Sequence, residues 1–281
     1  MTQQQHPISY NDIDWSHLHE QARKKKAWQS KGKSDWDKKA PSFSRKTKDS
    51  VYAQRVVEQI PVSRSTSVLD IGAGSGALAI PIAHKVHHLT ALDYSQGMID
   101  ELQAEAQLQG LHNITCHTCA WEDDWSAQGI KPHDICIASR SIGVQDLSAA
   151  LKKINNFALQ QVFITDRINP TPFDEEAFKA IKRPFQTGPD YIFSLNMLYR
   201  FGIHPEMRII EFDKETQFKN LDVAVDSFEW MFHGMTGIER ERLHDYLRER
   251  VIAETTDQIT IRQGSPHRWA LISWKKEKNI E

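Results

Sequence analysis

Between residues 49 and 212 the apolar positions follow two alternating rhythms. Short apolar runs predict strands at 67–69, 89–92, 113–117, 134–138, 161–165 and 208–212. Between them, apolar residues recur at three- and four-residue spacing, which predicts helices. One covers 49–60 with Val51, Tyr52, Val56 and Ile60 inward, and another 77–83. A third covers 97–109 with Met98, Leu102, Ala106 and Leu108 inward, closed by Gly110. Two more cover 146–157 and 189–201, the latter closed by Gly202. Strands alternating with helices in this way predict an open α/β sheet built of βαβ units.

Three segments break the rhythm. Asn169-Pro170-Thr171-Pro172, Arg183-Pro184 and Gly188-Pro189 punctuate a stretch with one helix at 174–181, so an insertion is expected at about 169–188. A second insertion at about 214–256 holds segments at 221–232 and 238–253. Its stripe of Phe228, Met231 and Phe232, with Trp230 beside it, reads as helix core. Strands at 258–261 and 268–274, with a turn at Gly264-Ser265-Pro266, close the chain, and the basic tail from Lys275 reads as frayed. The third segment, residues 1–48, is polar, basic in patches and dotted with Trp15, Trp28 and Trp36. Rings that large rarely stay in water. It is therefore expected as a helical flap over an edge of the main domain (49–281), with one amphipathic helix running from Trp15 through Trp28.

The chemistry concentrates at residues 68–95. The first strand ends in Asp70 and passes at once into Gly72, Gly74 and Gly76. Glycines there predict a tight turn that a ligand approaches closely, with the N–H groups of the next helix aimed into it. The second strand ends in Asp93, which suits hydrogen bonding to a ribose diol. The spacing Gly72-x-Gly74-x-Gly76 does not match the dinucleotide fingerprint G-x-G-x-x-G.

DIGAGSG followed by LDYSQGMID, with Asp93, Ser95 and Met98 in the order D-x-S-x-x-M, resembles the first two motifs of the class I S-adenosylmethionine-dependent methyltransferases, in their small-molecule branch. The resemblance implies a Rossmann-like, doubly wound seven-stranded sheet, with the flap at the N-terminus and helical insertions after strands five and six. It implies S-adenosyl-L-methionine as cofactor. Gly72, Ala73 and Gly74 would line its methionine part, with Asp70 orienting the turn and the amino group, and Gly76 completing the turn. Asp93 would take the ribose hydroxyls, and Tyr94 and Met98 would flank the adenine. Beyond the third strand, Ala120 and Trp121 would meet the adenine. Cys119 stands where the family has an acidic residue, and Glu122 could replace it. WDKKAPSF (36–43) resembles the segment that closes over the cofactor. The family's signature for amino-methylation of DNA bases, Pro-Pro and an aromatic, is absent.

Composition narrows the setting. The chain has 281 residues, 40% of them hydrophobic, and a net charge of −2, so the total implies no membrane or nucleic-acid partner. The polar start MTQQQHPISY is not expected to be a leader, and three cysteines argue against a disulfide framework. A cytoplasmic location follows as an expectation, and the oligomeric state stays open. Cys116-x-x-Cys119 with His112, His117 and His133 nearby lacks a second close ligand pair, and no metal is expected.

Ligands of open α/β sheets bind beyond the carboxyl ends of the strands, so Ser139-Arg140-Ser141 after the fourth strand should face the site. Ser139 is placed with the cofactor. Arg140 either anchors an anionic substrate or pairs with Asp166, which ends the fifth strand. Asp166 and Tyr191 join it as candidate substrate residues. A general base is unassigned among Tyr10, His17, His19, Asp166, Asp190, Tyr191 and His233. The leading expectation is methyl transfer to a small-molecule acceptor. An RNA or protein methyltransferase docking through the basic N-terminal patches, or a non-catalytic S-adenosylmethionine-binding regulator, are the alternatives.

Overall fold

In a computed structural model of the chain, residues 9–25, 32–48, 50–228, 231–232 and 234–280 are described. Trp28, Asp49, Trp230 and His233 therefore lie outside the described residues. Helices α1 (Trp15–Lys25), α2 (Lys33–Thr47) and α3 (Val51–Val57) precede the sheet. There follow β1 (Ser67–Ile71), α4 (Ala79–Ala83), β2 (His88–Asp93), α5 (Gln96–Leu108), β3 (Ile114–Thr118) and β4 (His133–Ser139). Next come α6 (Leu147–Phe157), β5 (Ala158–Arg167), α7 (Glu175–Ala180), α8 (Tyr191–Arg200), β6 (Glu206–Phe212) and β7 (Glu215–Phe218). The chain ends with α9 (Leu221–Asp226), α10 (Gly237–Arg248), β8 (Val251–Glu254), β9 (Ile259–Arg262) and β10 (His267–Lys275).

Seven strands form one sheet in the order β3-β2-β1-β4-β5-β10-β6. β1 to β5 run parallel, and β10 runs antiparallel between β5 and β6. The order reverses between β1 and β4, and a crevice opens there at the carboxyl ends. Both faces are covered. Tyr52, Val56, Ile82 and Ile137 belong to the layer under α3 and α4, while Leu151, Ile154, Ile164 and Leu198 belong to the layer under α6 and α8. Side chains at the predicted inward positions follow this pattern with two exceptions. Val51 is 49% exposed and Leu108 75% exposed, and Ile99 is buried instead on α5. Both misplaced residues sit at helix ends.

The two segments expected as insertions meet: α7 of the first and α9 and α10 of the second share, with β9 just beyond it, a core of Phe178, Leu221, Phe228, Phe232, Leu243, Leu247 and Ile261. Asp174 caps α7 and accepts the Tyr246 hydroxyl at 2.8 Å on both oxygens. Arg183 forks onto Glu239 at 2.6 and 2.9 Å. The helix expected to reach residue 253 ends at Arg248, and β8 follows. The strand read at 258–261 does not pair with β10: it is the middle strand of a separate sheet, β7-β9-β8. The tail is docked rather than frayed. Asn155 and Asn156 on α6 donate their amides to the carbonyls of Lys278 and Ile280 at 2.9 and 3.0 Å, and Ile280 N–H donates back to Asn156.

Candidate active site

The glycine turn forms as expected, with φ of +71° at Gly72, +56° at Gly74 and +91° at Gly76. At Gly72 the reason is a protein contact: a side chain there would overlap Ser141, whose hydroxyl donates to the Ile71 carbonyl at 2.6 Å. The turn's N–H groups are spent internally, against expectation. Gly72 and Ala73 donate to the Leu92 carbonyl, Gly74 to Asp93 Oδ2 at 2.9 Å and Gly76 to the Ala73 carbonyl. The following helix, α4, is only five residues long. What the turn offers a ligand is therefore carbonyl and carboxylate oxygen, which suits a cationic group rather than a phosphate.

Asp70 sharpens that point. It is 1% exposed, and its Oδ2 has no hydrogen-bond partner. Burial first, and then the charge of Asp93, lift its pKa to about 7. A buried carboxylate oxygen left unpaired is costly, and an ammonium group would relieve it. Asp93 is also buried and accepts from Gly74 N–H and Ser95 N–H, yet burial still raises its pKa. Tyr94 lies beside it, its hydroxyl pushed up to about 12 by burial and then by Asp93. Met98 is buried on the first turn of α5, which Ser95 caps. By the resemblance, these residues would meet the methionine, ribose and adenine parts of S-adenosylmethionine.

The loop after β3 completes this rim. Ala120 N–H donates to Asp123 at 2.8 Å, Trp125 Nε1 to the Ala120 carbonyl at 2.8 Å, and Trp121 Nε1 to the Ser141 carbonyl at 3.0 Å. Lys153 lies over the Trp125 ring at 4.2 Å. Ala120 and Trp121 are half-buried, while Glu122 is exposed.

Next to the turn, the carboxyl ends of β4 and β5 carry a second arrangement. Arg140 adopts φ +57°, rare outside glycine, and its N–H is held by the Thr165 hydroxyl at 2.9 Å. That hydroxyl also meets Tyr52 Oη at 2.5 Å and Ser139 Oγ at 3.3 Å. The Arg140 guanidinium stacks 4.1 Å from the Tyr52 ring centre and 5.6 Å from that of Trp269. It does not pair with Asp166, the internal partner considered from sequence. Asp166 accepts the Ser194 hydroxyl at 2.7 Å and Arg167 N–H at 2.8 Å, with its pKa raised chiefly by burial. Arg140, Asp166, Thr165, Phe173 and Trp269 line a cleft of about 150 Å³.

The other base candidates lie elsewhere. Tyr191 packs at the edge of the core under α8, and Asp190 caps that helix. Tyr10 donates to the Asn196 carbonyl at 2.8 Å, His19 is buried against Phe193, and His17 is exposed. The flap divides in two. α1 docks beside α8, and its Arg23 donates to the Gly143 and Val144 carbonyls beyond β4. α2 lies on the glycine turn: Phe43 is the atom neighbour a side chain at Gly74 would meet, and Thr47 contacts Ser75 at 3.4 Å. Asp37 accepts Ser95 Oγ–H at 2.6 Å and Gly97 N–H at 3.1 Å. Sequence reasoning missed Asp37, Tyr52, Thr165 and Trp269 as site residues. Only Asp37 lay in a stretch singled out beforehand, WDKKAPSF.

The chain is similar to known proteins in sequence and in fold. Residues 68–161 match the family described as a methyltransferase domain. An uncharacterised protein of Haemophilus influenzae is 32% identical over 246 residues, covering 86% of this chain and 89% of that protein. The crystal structure of the YcgJ protein from Bacillus subtilis superposes with a TM-score of 0.54 at 15% identity, covering 81% of this chain and 98% of that one. A Bacillus halodurans protein with a provisional methyltransferase assignment gives 0.55 at 14% identity, covering 80% and 99%.

Proposed function

The chain belongs to the class I S-adenosylmethionine-dependent methyltransferases, and from that premise we propose that it methylates a small-molecule acceptor held in the cleft of Arg140, Asp166 and Trp269. One observation carries the proposal: cofactor turn and cleft share a wall. Ser141 packs on Gly72 and bonds to Ile71, while its neighbours Arg140 and Ile142 line the cleft.

The cofactor supplies an electrophilic methyl group, so the protein's part is alignment, exclusion of water and removal of a proton. Asp70 holds the ammonium end, Asp93 the ribose diol, and Tyr94, Met98, Ala120 and Trp121 the adenine, with Glu122 at its exposed rim. Gly72, Ala73, Gly74 and Gly76 give the turn its close approach, and Ser139 ties it through Tyr52 and Thr165 to the cleft. Asp166 is the one carboxylate lining the cleft among the described residues. Burial lifts its proton affinity, and Ser194 fixes its orientation. It is placed to take the proton of an attacking hydroxyl or amine. Phe173 and Pro172 from the first insertion roof the cleft and keep water out.

Among the described residues no helix is long and apolar enough to cross a membrane. Cys116, Cys119 and Cys136 are free thiols, which supports a reducing, cytoplasmic setting.

The test is incubation with S-adenosylmethionine carrying a labelled methyl group and a metabolite extract, followed by mass spectrometry. A labelled small molecule is expected. Asp166→Asn should lower kcat by about 10²–10⁴-fold with cofactor affinity retained. Label appearing only in RNA or protein fractions would overturn the acceptor class.

A further inference from the structure

The wall of the cleft away from Asp166 continues along β10. His267 and Trp269 are two residues apart on that strand and so face the same side, opposite Phe212 and Ile210 of β6. The Tyr52 ring packs against Phe212 at 6.2 Å and Trp269 at 5.7 Å, and the His267 ring against Phe212 at 5.8 Å. His267 Nε2 and Trp269 Nε1 are both buried and have no hydrogen-bond partner. Indole nitrogen is only ever a donor, and a neutral imidazole keeps one N–H. Two orphaned ring nitrogens on one face are unusual in a packed core.

Charge around them is mostly positive, with Asp174 the one carboxylate that acts on Lys214. The Arg140 guanidinium lies over Tyr52 and Trp269 with no ion pair among the described residues. Lys214, half-buried between β6 and β7, likewise has none. Burial lowers its pKa, helped by Lys46 on α2 and by Arg140. Burial, then Lys214 and Arg140, push His267 down to about 3. The nearby carboxylates are engaged elsewhere: Asp174 with the Tyr246 hydroxyl and Ala177 N–H, Glu211 with Arg268 at 3.0 Å, and Asp166 with Ser194. Cations that outnumber the carboxylates near them, beside two unpartnered ring nitrogens, have the composition of an oxyanion site.

We propose that Arg140, Lys214 and the ring nitrogens of Trp269 and His267, each carrying its N–H toward the ligand, form a subsite for an oxyanion of the acceptor, a carboxylate or phosphate. The proposal rests on the reading of the cleft as the acceptor site. Arg140 provides the planar fork, its rare backbone conformation held by Thr165, and the aromatic stack leaves its N–H edges free for a ligand. Charge in the acceptor thus sits opposite the carboxylate-lined cofactor turn, so an anionic acceptor and a cationic cofactor are each drawn to their own side.

Calorimetric titration of the full chain with inorganic phosphate and with malonate tests this, in the free chain and with S-adenosylhomocysteine saturating. At least one probe should bind in the millimolar range or tighter, and the tighter one identifies the oxyanion as phosphate or carboxylate. Lys214→Met and Arg140→Gln should each weaken that probe by about tenfold or more, and Trp269→Phe, which keeps an aromatic ring but removes the indole N–H, by a smaller factor. The homocysteine product should bind these variants as it binds the native chain. Arg268→Gln, at the surface pair with Glu211, should leave probe affinity unchanged. Should Arg140→Gln fail to fold, Lys214→Met decides. No binding of either probe by about 20 mM, about four orders of magnitude weaker than a micromolar ligand, or equal binding by the Lys214 and Trp269 variants, overturns the subsite. Failure of the homocysteine product to bind would overturn the methyl-transfer reading instead and leaves the probe titrations to judge the subsite alone.

Discussion

In the proposed reading the two halves of the crevice differ in charge, Asp166 being the one carboxylate that lines the second among the described residues. On the cofactor side Asp70, Asp93 and Asp37 crowd around a turn whose amides are already spent, and proton affinities there are raised at Asp70, Asp93 and Tyr94. On the proposed acceptor side Arg140 and Lys214 act on His267, whose ring nitrogen and that of Trp269 are unpartnered, and proton affinities fall at Lys214 and His267. Burial drives the shifts on both sides, since it disfavours whichever charge is present. The lesson is that burial alone does not sort ligands; the sign of the buried group does. A cofactor carrying a sulfonium and an ammonium group would be attracted to the first side and repelled from the second.

The sharpest way to break the comparison is to remove the wall between the halves. Gly72→Ala forces a side chain onto Ser141 at a φ of +71°, and we expect a stability loss of about 2–4 kcal/mol. Chemical denaturation of Gly72→Ala and of the double variant with Ser141→Gly measures it. The double variant should recover the steric part but not the conformational part. Full stability in Gly72→Ala would mean that the two sides do not meet at this contact.

Next in size is neutralising the cofactor side. Asp70→Asn should cost about 1.5–3 kcal/mol of S-adenosylmethionine affinity, the range for a hydrogen bond to a charged group. Calorimetry reads this directly, and an unchanged Kd would remove Asp70 from the ammonium contact.

The same residue makes a smaller, pH-dependent prediction. Because the free-protein pKa of Asp70 is about 7 and the bound form needs the carboxylate, binding should release a proton below that pH. Affinity should rise with pH up to about 7 and flatten above, by at most tenfold per unit. Stability of the free chain moves the other way through this group. A raised folded pKa favours folding below the ordinary carboxylate range, and the benefit is lost as pH climbs to about 7. His267, held near 3, opposes that trend, since its neutral folded form loses stability as pH falls below 6.5. Calorimetry in buffers of differing ionisation enthalpy isolates the Asp70 contribution, and Asp70→Asn should abolish the proton release.

What the sequence made legible follows from locality. Asp70, the glycines, Asp93 and Met98 fall within thirty positions of one another on a strand, a turn and a helix start, so spacing and the family resemblance together marked out the expected cofactor side. The acceptor side is assembled from Tyr52, Arg140, Thr165 and Trp269, which no local pattern connects. β10 illustrates the difficulty: its apolar run announced a strand, but the run itself does not say that β5 and β6 flank it or that β9 belongs to another sheet. β7, with sequence ETQF, has too little apolar character to announce itself. Val51 and Leu108 were misplaced because, at a helix end, a correct period does not guarantee a neighbour to pack against. The docked tail depends on Asn155 and Asn156, more than a hundred positions away.

The smallest expected effect tests how the flap takes part in the division of charge. Asp37 on α2 accepts hydrogen bonds from Ser95 and Gly97, and these bonds set its carboxyl below the ordinary range despite the nearby acids. It therefore stays ionised and adds negative charge to the cofactor side, where it also raises the pKa of Asp93 and Tyr94. Asp37→Asn would keep a hydrogen-bonding side chain while losing the charge; Asp37→Ala would lose both. If α2 acts as an electrostatic partner of the cofactor, both variants should weaken S-adenosylmethionine by about two- to fivefold at low salt, less at high salt. If α2 acts only as a cover, Asp37→Asn should bind as the native chain does, and Asp37→Ala alone should show faster proteolysis of residues 32–48. Measuring both variants at two salt concentrations separates charge from contact, because screening weakens the first and leaves the second in place.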